Sequence, residues 1–193
     1  MLKIDFDEKN MKFMEEMLKE SPKKVPQAMV SVLNRVAQYG KTTTATQITK
    51  IYTPMRQDVS KSLGVIKANE GNLEAGIDAR GRRIPLIYFK TTPQIPQPRT
   101  PVTTPVTTEV KAGAKHTLTK LCFTAKMKSG HRGVFRRRTK ASNYDGRLPI
   151  EQLYGPSVPQ MFGNEKVLEV VEERVGKNFE SKMIEEVIKV VEK

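Results

Sequence analysis

The sequence predicts an α+β fold, in which N-terminal helices and a long C-terminal helix flank a small, mainly antiparallel sheet of hairpins. Apolar residues recur every three or four positions near both ends of the chain and alternate with polar residues through much of the centre. A Thr- and Pro-rich stretch between the hairpins predicts a long projecting arm. Because 193 residues suit one domain, we expect a single α+β domain over residues 1–193.

Three helices are predicted in the N-terminal third. Apolar positions at helical spacing indicate a short helix over 11–20 and a longer one over 22–48, with Gly40 and the β-branched run Thr42–Thr44 as its weak point. A capping Ser followed by Pro precedes the longer helix, and a Thr-Pro pair precedes the third helix, over 55–63.

Strands are predicted from residue 65 onward, where the apolar period changes from 3.6 to 2. A turn at Asp78–Arg83 is expected to join one hairpin over 73–89, and a turn at Ser129-Gly130-His131 to join a second hairpin. In chain order, the predicted strands are 65–69, 73–78, 84–89, 118–127, 133–139 and 148–153.

The C-terminal segment predicts a long helix over 165–192, which would span roughly 42 Å. Ser157 and Gln160 have the spacing of a capping box that would order the turn before this helix. We expect such a helix to pack across a sheet or to contribute to a subunit contact. Its apolar stripe is formed by Leu168, Val171, Val175, Phe179, Met183, Val187 and Val191.

Residues 91–117 are predicted to form an extended arm or a flexible insertion within the domain, because long structureless loops are uncommon inside compact folds. Residues 91–108 contain seven Thr and five Pro, and prolines at this density block helices and central strands. Two interpretations remain open: a disordered insertion, or an arm that pairs with a neighbouring subunit. The residues expected at that interface are Pro93, Pro96, Pro98, Pro101, Val102, Pro105 and Val106.

The positive charge is concentrated in the middle of the chain. The net charge is +13, and residues 80–140 alone carry 15 basic side chains against one acidic side chain, Glu109. If the two hairpins share a sheet, their turns form one basic rim that contacts DNA phosphates or a partner protein; a solvated edge that resists aggregation is the third interpretation. The residues of the predicted rim are Arg80, Arg82, Arg83, Lys126, Lys128, Arg132, Arg136, Arg137, Arg138 and Lys140.

Signals for an enzyme are nearly absent from the sequence. His116 and His131 fall in basic loops without a cluster at metal-ligand spacing, and Cys122 has no neighbouring base to activate it. We therefore expect no catalytic residue, no metal and no cofactor. The single cysteine excludes an intramolecular disulfide, and no stretch has the character of a signal peptide or a membrane helix, so we expect a soluble protein made in a reducing compartment.

Several stretches of the chain carry a resemblance to a known family. They are VPQAMVSVLNRVA at 25–37, RIPLIYF at 83–89 and LPIEQLYGPSVP at 148–159, with shorter pieces at 52–54, 59–65 and 72–77. In this order, and followed by a C-terminal helix, they resemble the prophage minor tail protein Z family over roughly residues 22–192. The PIEQLYGPSVP stretch is the most specific part, and the Thr/Pro arm departs from the pattern.

The resemblance implies a structural virion protein that completes the tail of a phage or prophage and joins it to the head connector. Its members are expected to form homo-oligomeric, hexameric rings through which DNA passes, with the tail-terminator and head-connector proteins as partners. The expected location is the head-proximal end of the tail in the virion, and the host cytoplasm during assembly. The alternative is a monomeric module that binds nucleic acid through the basic hairpins, independently of sequence.

Overall fold

The computed structural model describes residue 19 and residues 24–95, 105–138 and 149–191, without the side chains of 187, 188, 190 and 191. The predicted helix over 11–20 (Lys19 excepted), the centre of the predicted arm at 96–104 and Lys140 therefore lie outside the described residues. In chain order, the elements are α1 (Lys24–Ile51), α2 (Arg56–Ser62), β1 (Leu63–Ile66), β2 (Gly76–Ala79), a 3-10 helix (Leu86–Tyr88), β3 (Lys90–Thr92), β4 (Thr107–Lys111), β5 (Ala114–Thr117), β6 (Cys122–Lys126), β7 (Arg132–Arg137), β8 (Ile150–Gln152), α3 (Val158–Phe162) and α4 (Glu165–Val191).

These elements confirm the α+β class and belong to two compact units. As far as they are described, the first unit comprises Met1–Gln47, Ser60–Arg80 and Phe162–Lys193, and the second comprises Ile48–Val59 and Gly81–Met161. The expectation of one domain over residues 1–193 stays a prediction.

Helix α1 lies mainly in the first unit and confirms the helix predicted over 22–48. It continues through the predicted weak point because Gly40 is a site of close packing: a Cβ there would lie 2.7 Å from Cδ1 of Ile77 and 3.2 Å from Cγ2 of Val175. The hydroxyl of Thr42 donates to the carbonyl of Gln38 at 3.1 Å, so the helix itself satisfies this polar group. Tertiary packing outweighs the low helix propensity of this stretch.

The predicted hairpin over 73–89 is wrong. Strand β2 instead pairs antiparallel with β1, with Leu63 opposite Ala79 and Val65 opposite Ile77. Residues 84–89, which the sequence predicts as the second strand of that hairpin, make a single β-bridge, between Pro85 and Tyr154, and include the 3-10 helix. Proline lacks the N–H that a continuous ladder requires, and the apolar run 84–89 is buried almost throughout rather than on alternate positions.

Two three-stranded antiparallel sheets form the second unit, in the orders β3-β4-β5 and β6-β7-β8. The predicted hairpin over 118–139 is confirmed: β6 and β7 pair from Cys122 opposite Arg136 to Lys126 opposite Arg132. Strand β8, predicted within 148–153, pairs with β7 on its other side. Cys122, Thr124 and Val134 share one face of this sheet and are buried, so that face belongs to the core.

Parts of the predicted arm are strands of the β3-β4-β5 sheet. Thr91 and Thr92 pair with β4, which in turn pairs with β5, so the described ends of residues 91–117 are ordered against each other. Composition misled the prediction here, because the Thr and Val residues that follow the last proline are good strand formers.

Helix α4 confirms the predicted C-terminal helix, with one shift in its apolar stripe. Among its described side chains, the buried ones are Val167, Val171, Val175, Phe179 and Met183. The side chains of Val187 and Val191, which the sequence also places in the stripe, lie outside the description. Leu168, which the sequence places in the stripe, is half-buried, and Val167 takes its place. The predicted capping box is present, with the Ser157 N–H donating to Oε1 of Gln160 at 2.9 Å, and it lies at the start of α3, the short helix that precedes α4.

Candidate nucleic-acid and subunit interface

The first group of predicted rim residues does not lie on a hairpin turn. Arg80, Arg82 and Arg83 follow β2 on the way to the 3-10 helix. Nε of Arg80 lies 2.7 Å from Oδ2 of Asp78, whereas Arg82 and Arg83 are exposed and pair with no carboxylate in the described part of the chain. Strand β2 and the β6–β7 hairpin belong to different sheets, so the shared sheet on which the single rim depends is not formed among the described strands.

The second group is divided between the two ends of the β6–β7 hairpin. Lys126, Lys128 and Arg132 surround the turn, where Gly130 adopts the positive φ of 85° that favours glycine. Arg136 and its neighbours lie four or more residues further along the chain than Arg132, which corresponds to about 14 Å at ~3.4 Å per residue. The described rim residues of this hairpin therefore do not all surround its turn.

The arginines far from the turn interact with residues of their own chain. Arg136 is the Cα partner of Glu151 on β8, and its Nε donates to Oε1 of that carboxylate at 2.7 Å. Nε of Arg138 lies 3.7 Å from the other carboxylate oxygen. The guanidinium of Arg137 lies 5.1 Å from the ring centroid of Phe123, a cation–π contact. These exposed pairs contribute little to stability, but they orient the three arginines.

The cations at the turn have no such partners. Lys126 and Arg132 are directly opposite one another on the last rung of the hairpin, and Lys128 lies in the turn between them. None of the three forms an ion pair with any residue that the structure describes. We call these three residues the hairpin tip. The neighbouring His131 contacts the neutral Gln152, with Nε2 and Oε1 3.1 Å apart.

A polar clamp fastens the base of the predicted arm. The hydroxyl of Thr53 accepts a hydrogen bond from the Lys90 N–H at 3.1 Å and donates one to the Glu109 carbonyl, which ties the loop after α1 to β3 and β4. The Glu109 carboxylate lies 2.8 Å from Nζ of Lys90 and accepts the Gly113 N–H at 2.7 Å. The Lys90 hydrogen bond, and after it that of Gly113, hold the pKa of Glu109 below its usual 4.5.

The predicted interface residues of the arm have different environments. Val106 is 1% exposed and packs within its own protomer, so its side chain is not available to a neighbour. Pro93 is half-buried and Pro105 is exposed, at the two sides of the undescribed stretch. Pro96, Pro98, Pro101 and Val102 lie outside the described residues.

Sequence reasoning missed two residues that organise this region, Glu151 and Thr53. Glu151 lies in β8, a correctly predicted strand that follows the arginine run of β7 in the chain. An acidic residue in such a strand is a signal for cross-strand pairing with an arginine. Thr53 gives no comparable signal. The pair Thr53-Pro54 also fits the start of a helix, and a helix is what the sequence predicts at this point.

Within the described ranges, no group of three or more His, Cys, Asp and Glu residues is arranged to hold a metal ion. Cys122 is buried, and its Sγ lies 3.4 Å from the Thr119 hydroxyl. Among the described helices, none combines the length and the apolar character needed to cross a membrane.

Comparison with known proteins gives a match to a family model. No curated protein and no solved structure is detectably similar to the chain. The family model of prophage minor tail protein Z (GPZ) matches residues 11–193, which is most of the sequence. This match includes both units of the fold, the hairpin tip and the LPIEQLYGPSVP stretch. The chain therefore belongs to the prophage minor tail protein Z family.

Proposed function

We propose that this phage minor tail protein completes the tail and joins it to the head connector as a homo-oligomeric, hexameric ring through which DNA passes. It acts as a structural part at the head-proximal end of the tail, is assembled in the host cytoplasm, and contacts the tail-terminator and head-connector proteins. No reaction is required for this role. Family membership supports the tail assignment, and the surface of the second unit supports the ring.

One observation carries the oligomeric part of the proposal: the outer face of the β6-β7-β8 sheet exposes apolar side chains. Ile150 is 42% exposed and Tyr154 51% exposed, and they flank Gln152 on the same side of the chain, with the Tyr154 hydroxyl donating to Oε1 of Gln152 at 3.1 Å. Phe123 on the same face is only half-buried. Neighbouring apolar side chains on a surface commonly mark a protein interface.

The arm supplies a second contact in this proposal. Closed rings are built from heterologous interfaces, in which a surface of one protomer meets a different surface of the next. Strands β3 and β4, which precede and follow residues 96–104 in the chain, form an ordered, clamped base. We propose that the stretch 96–104 pairs with the neighbouring protomer.

Native mass spectrometry of the full-length chain tests the ring. A closed oligomer of about six copies of the 21.8 kDa protomer is expected, alone or after the tail-terminator and head-connector proteins are added. A matched variant, Ile150→Lys with Tyr154→Lys, places two charges on the outer sheet face and is expected to remain monomeric. A protein that stays monomeric with both partners present contradicts the ring and favours the monomeric nucleic-acid-binding module.

A further inference from the structure

The hairpin tip carries an electrostatic arrangement that opposes folding. Lys126 and Arg132 are Cα partners on antiparallel strands, so their side chains emerge from the same face of the sheet. Both are exposed. Like charges directly opposite each other on a sheet are destabilising, and Lys128 adds a third positive charge within the same turn.

Nothing in the described protomer relieves this repulsion. The contrast with the other end of the same hairpin is direct, since Arg136 there stands opposite Glu151 and donates to its carboxylate. At the tip, the side chains next to the three cations are Met127, Ser129 and His131, and His131 contacts a neutral amide. A cluster that is unfavourable in the free protomer and has no internal counter-charge is suited to an external anion.

We propose that the hairpin tip, formed by Lys126, Lys128 and Arg132, is the DNA contact of this protein and binds backbone phosphates of duplex DNA without reading the sequence. This inference rests on the proposed function, in which DNA passes the ring. The three arginines at the other end of the hairpin are assigned to the protomer itself, to Glu151 and Phe123.

The composition of the tip favours a nucleic acid over an acidic protein surface. Two of the three cations are lysines, which protein interfaces disfavour and which bind phosphate as point charges. No aromatic side chain other than the hydrogen-bonded His131 lies between Lys126 and Arg132, so bases have no surface on which to stack. Contacts of this kind are electrostatic and independent of sequence.

The assignment also removes a physical difficulty of a basic ring around DNA. Six copies of a segment with a net charge of +14 would hold DNA too tightly to let it move, because each neutralised phosphate adds to the affinity. With three contacting cations in each protomer, and with no base contacts, the ring retains DNA while the duplex can still slide.

Fluorescence anisotropy with a labelled 20-bp duplex, over a series of salt concentrations, tests the tip. The triple variant Lys126→Gln/Lys128→Gln/Arg132→Gln is compared with the matched triple Arg136→Gln/Arg137→Gln/Arg138→Gln, which removes the same number of charges. The tip variant is expected to bind at least about tenfold more weakly at low salt and to lower the slope of log K against log salt by about 2.7 for each protomer that contacts the duplex, at ~0.9 per phosphate contact. The matched variant is expected to retain most of that slope.

A stability measurement provides an independent readout. Arg132→Gln is expected to raise the melting temperature of the free protein at low salt, and the gain should shrink at high salt, because the substitution removes a like-charge repulsion.

Equal losses of DNA binding in the two triple variants, or binding of an acidic partner protein at the tip with no loss of DNA affinity, would overturn the proposal. Native mass spectrometry of the tip variant distinguishes a failure of this inference from a failure of the proposed function, because the ring is expected to form whether or not the tip binds DNA.

Discussion

Gly155 lies against the aromatic ring of Phe89, so closely that a Cβ at residue 155 would come within 2.5 Å of Cε2 of that ring. Phe89 is 1% exposed. The N–H of Gly155 donates to the carbonyl of Ile84 at 2.8 Å, which holds the backbone beside the ring. The stretch on which the family resemblance depends most, LPIEQLYGPSVP, thus includes a packing element of the second unit, where only a residue without a side chain fits.

This contact predicts that Gly155→Ala destabilises the protein. The new methyl group has to displace a fully buried ring, and overpacking of this kind costs about 2 kcal/mol of the free energy of unfolding. Urea denaturation followed by circular dichroism measures the loss.

The chain offers a matched control at Gly176, in the middle of α4, where a Cβ would meet nothing within 4 Å. Gly176→Ala is expected to raise the free energy of unfolding by about 1 kcal/mol, because alanine has the higher helix propensity. Equal effects of the two substitutions would show that the Phe89 contact is not responsible.

The polar clamp predicts a loss of stability in Thr53→Val. This nearly isosteric change removes the hydroxyl that accepts the Lys90 N–H and donates to the Glu109 carbonyl. The expected cost is about 1 kcal/mol, since the partners are only partly shielded from water. Thr53→Ser keeps the hydroxyl and is expected to lie close to the wild type in the same urea titration; if Ser costs as much as Val, the hydrogen bonds are not the cause.

Glu109 predicts a dependence of stability on pH. Because its pKa is lowered in the folded protein from the usual 4.5, the carboxylate stabilises the fold above that unfolded pKa, and this contribution disappears as the pH falls through the folded pKa. Thermal melts of the wild type and of Glu109→Gln should therefore differ at pH 7 and converge in acid. A difference that stays constant from pH 7 to acid would contradict the ion pair with Lys90.

The elements that sequence reasoning predicts correctly are those specified by local patterns. Helices α1 and α4 have apolar stripes at helical spacing, and the β6–β7 hairpin has clean alternation around a Ser-Gly turn. The pairing of β2 with β1 is not specified by a local pattern, because residues 73–89 also have the pattern of a hairpin. Pro85 excludes that hairpin, because proline lacks the N–H of a continuous ladder.

The candidate site is likewise predicted only in those features that a local sequence pattern specifies. Charge density identifies the basic segment, but a sequence shows neither which cations share a rung nor which ones have a carboxylate opposite. Lys126 and Arg132 become a pair only through the strand register. Arg136 is neutralised only because β8, which begins 13 residues after the end of β7 by residue number, places Glu151 beside it. Long-range register separates the cations of the hairpin tip, which have no ion-pair partner among the described residues, from those that pair within the chain.

The arm predicts a variant that separates assembly from folding. Deleting residues 96–104 leaves five residues between β3 and β4, a length suited to a hairpin loop, and keeps the buried Val106. The melting temperature of the protomer is expected to change little, whereas ring formation and the yield of tails joined to heads should fall. A collapse of thermal stability with this deletion would mean that the stretch belongs to the protomer core.

Gold labelling of the chain on intact particles of the phage that encodes it, followed by electron microscopy, tests the central claim most directly. The proposed function predicts label at the junction between tail and head, on a ring-shaped density that is missing from tails made without this chain. Label at the distal tip or along the tail tube, or normal junctions in particles that lack the chain, would contradict the proposal.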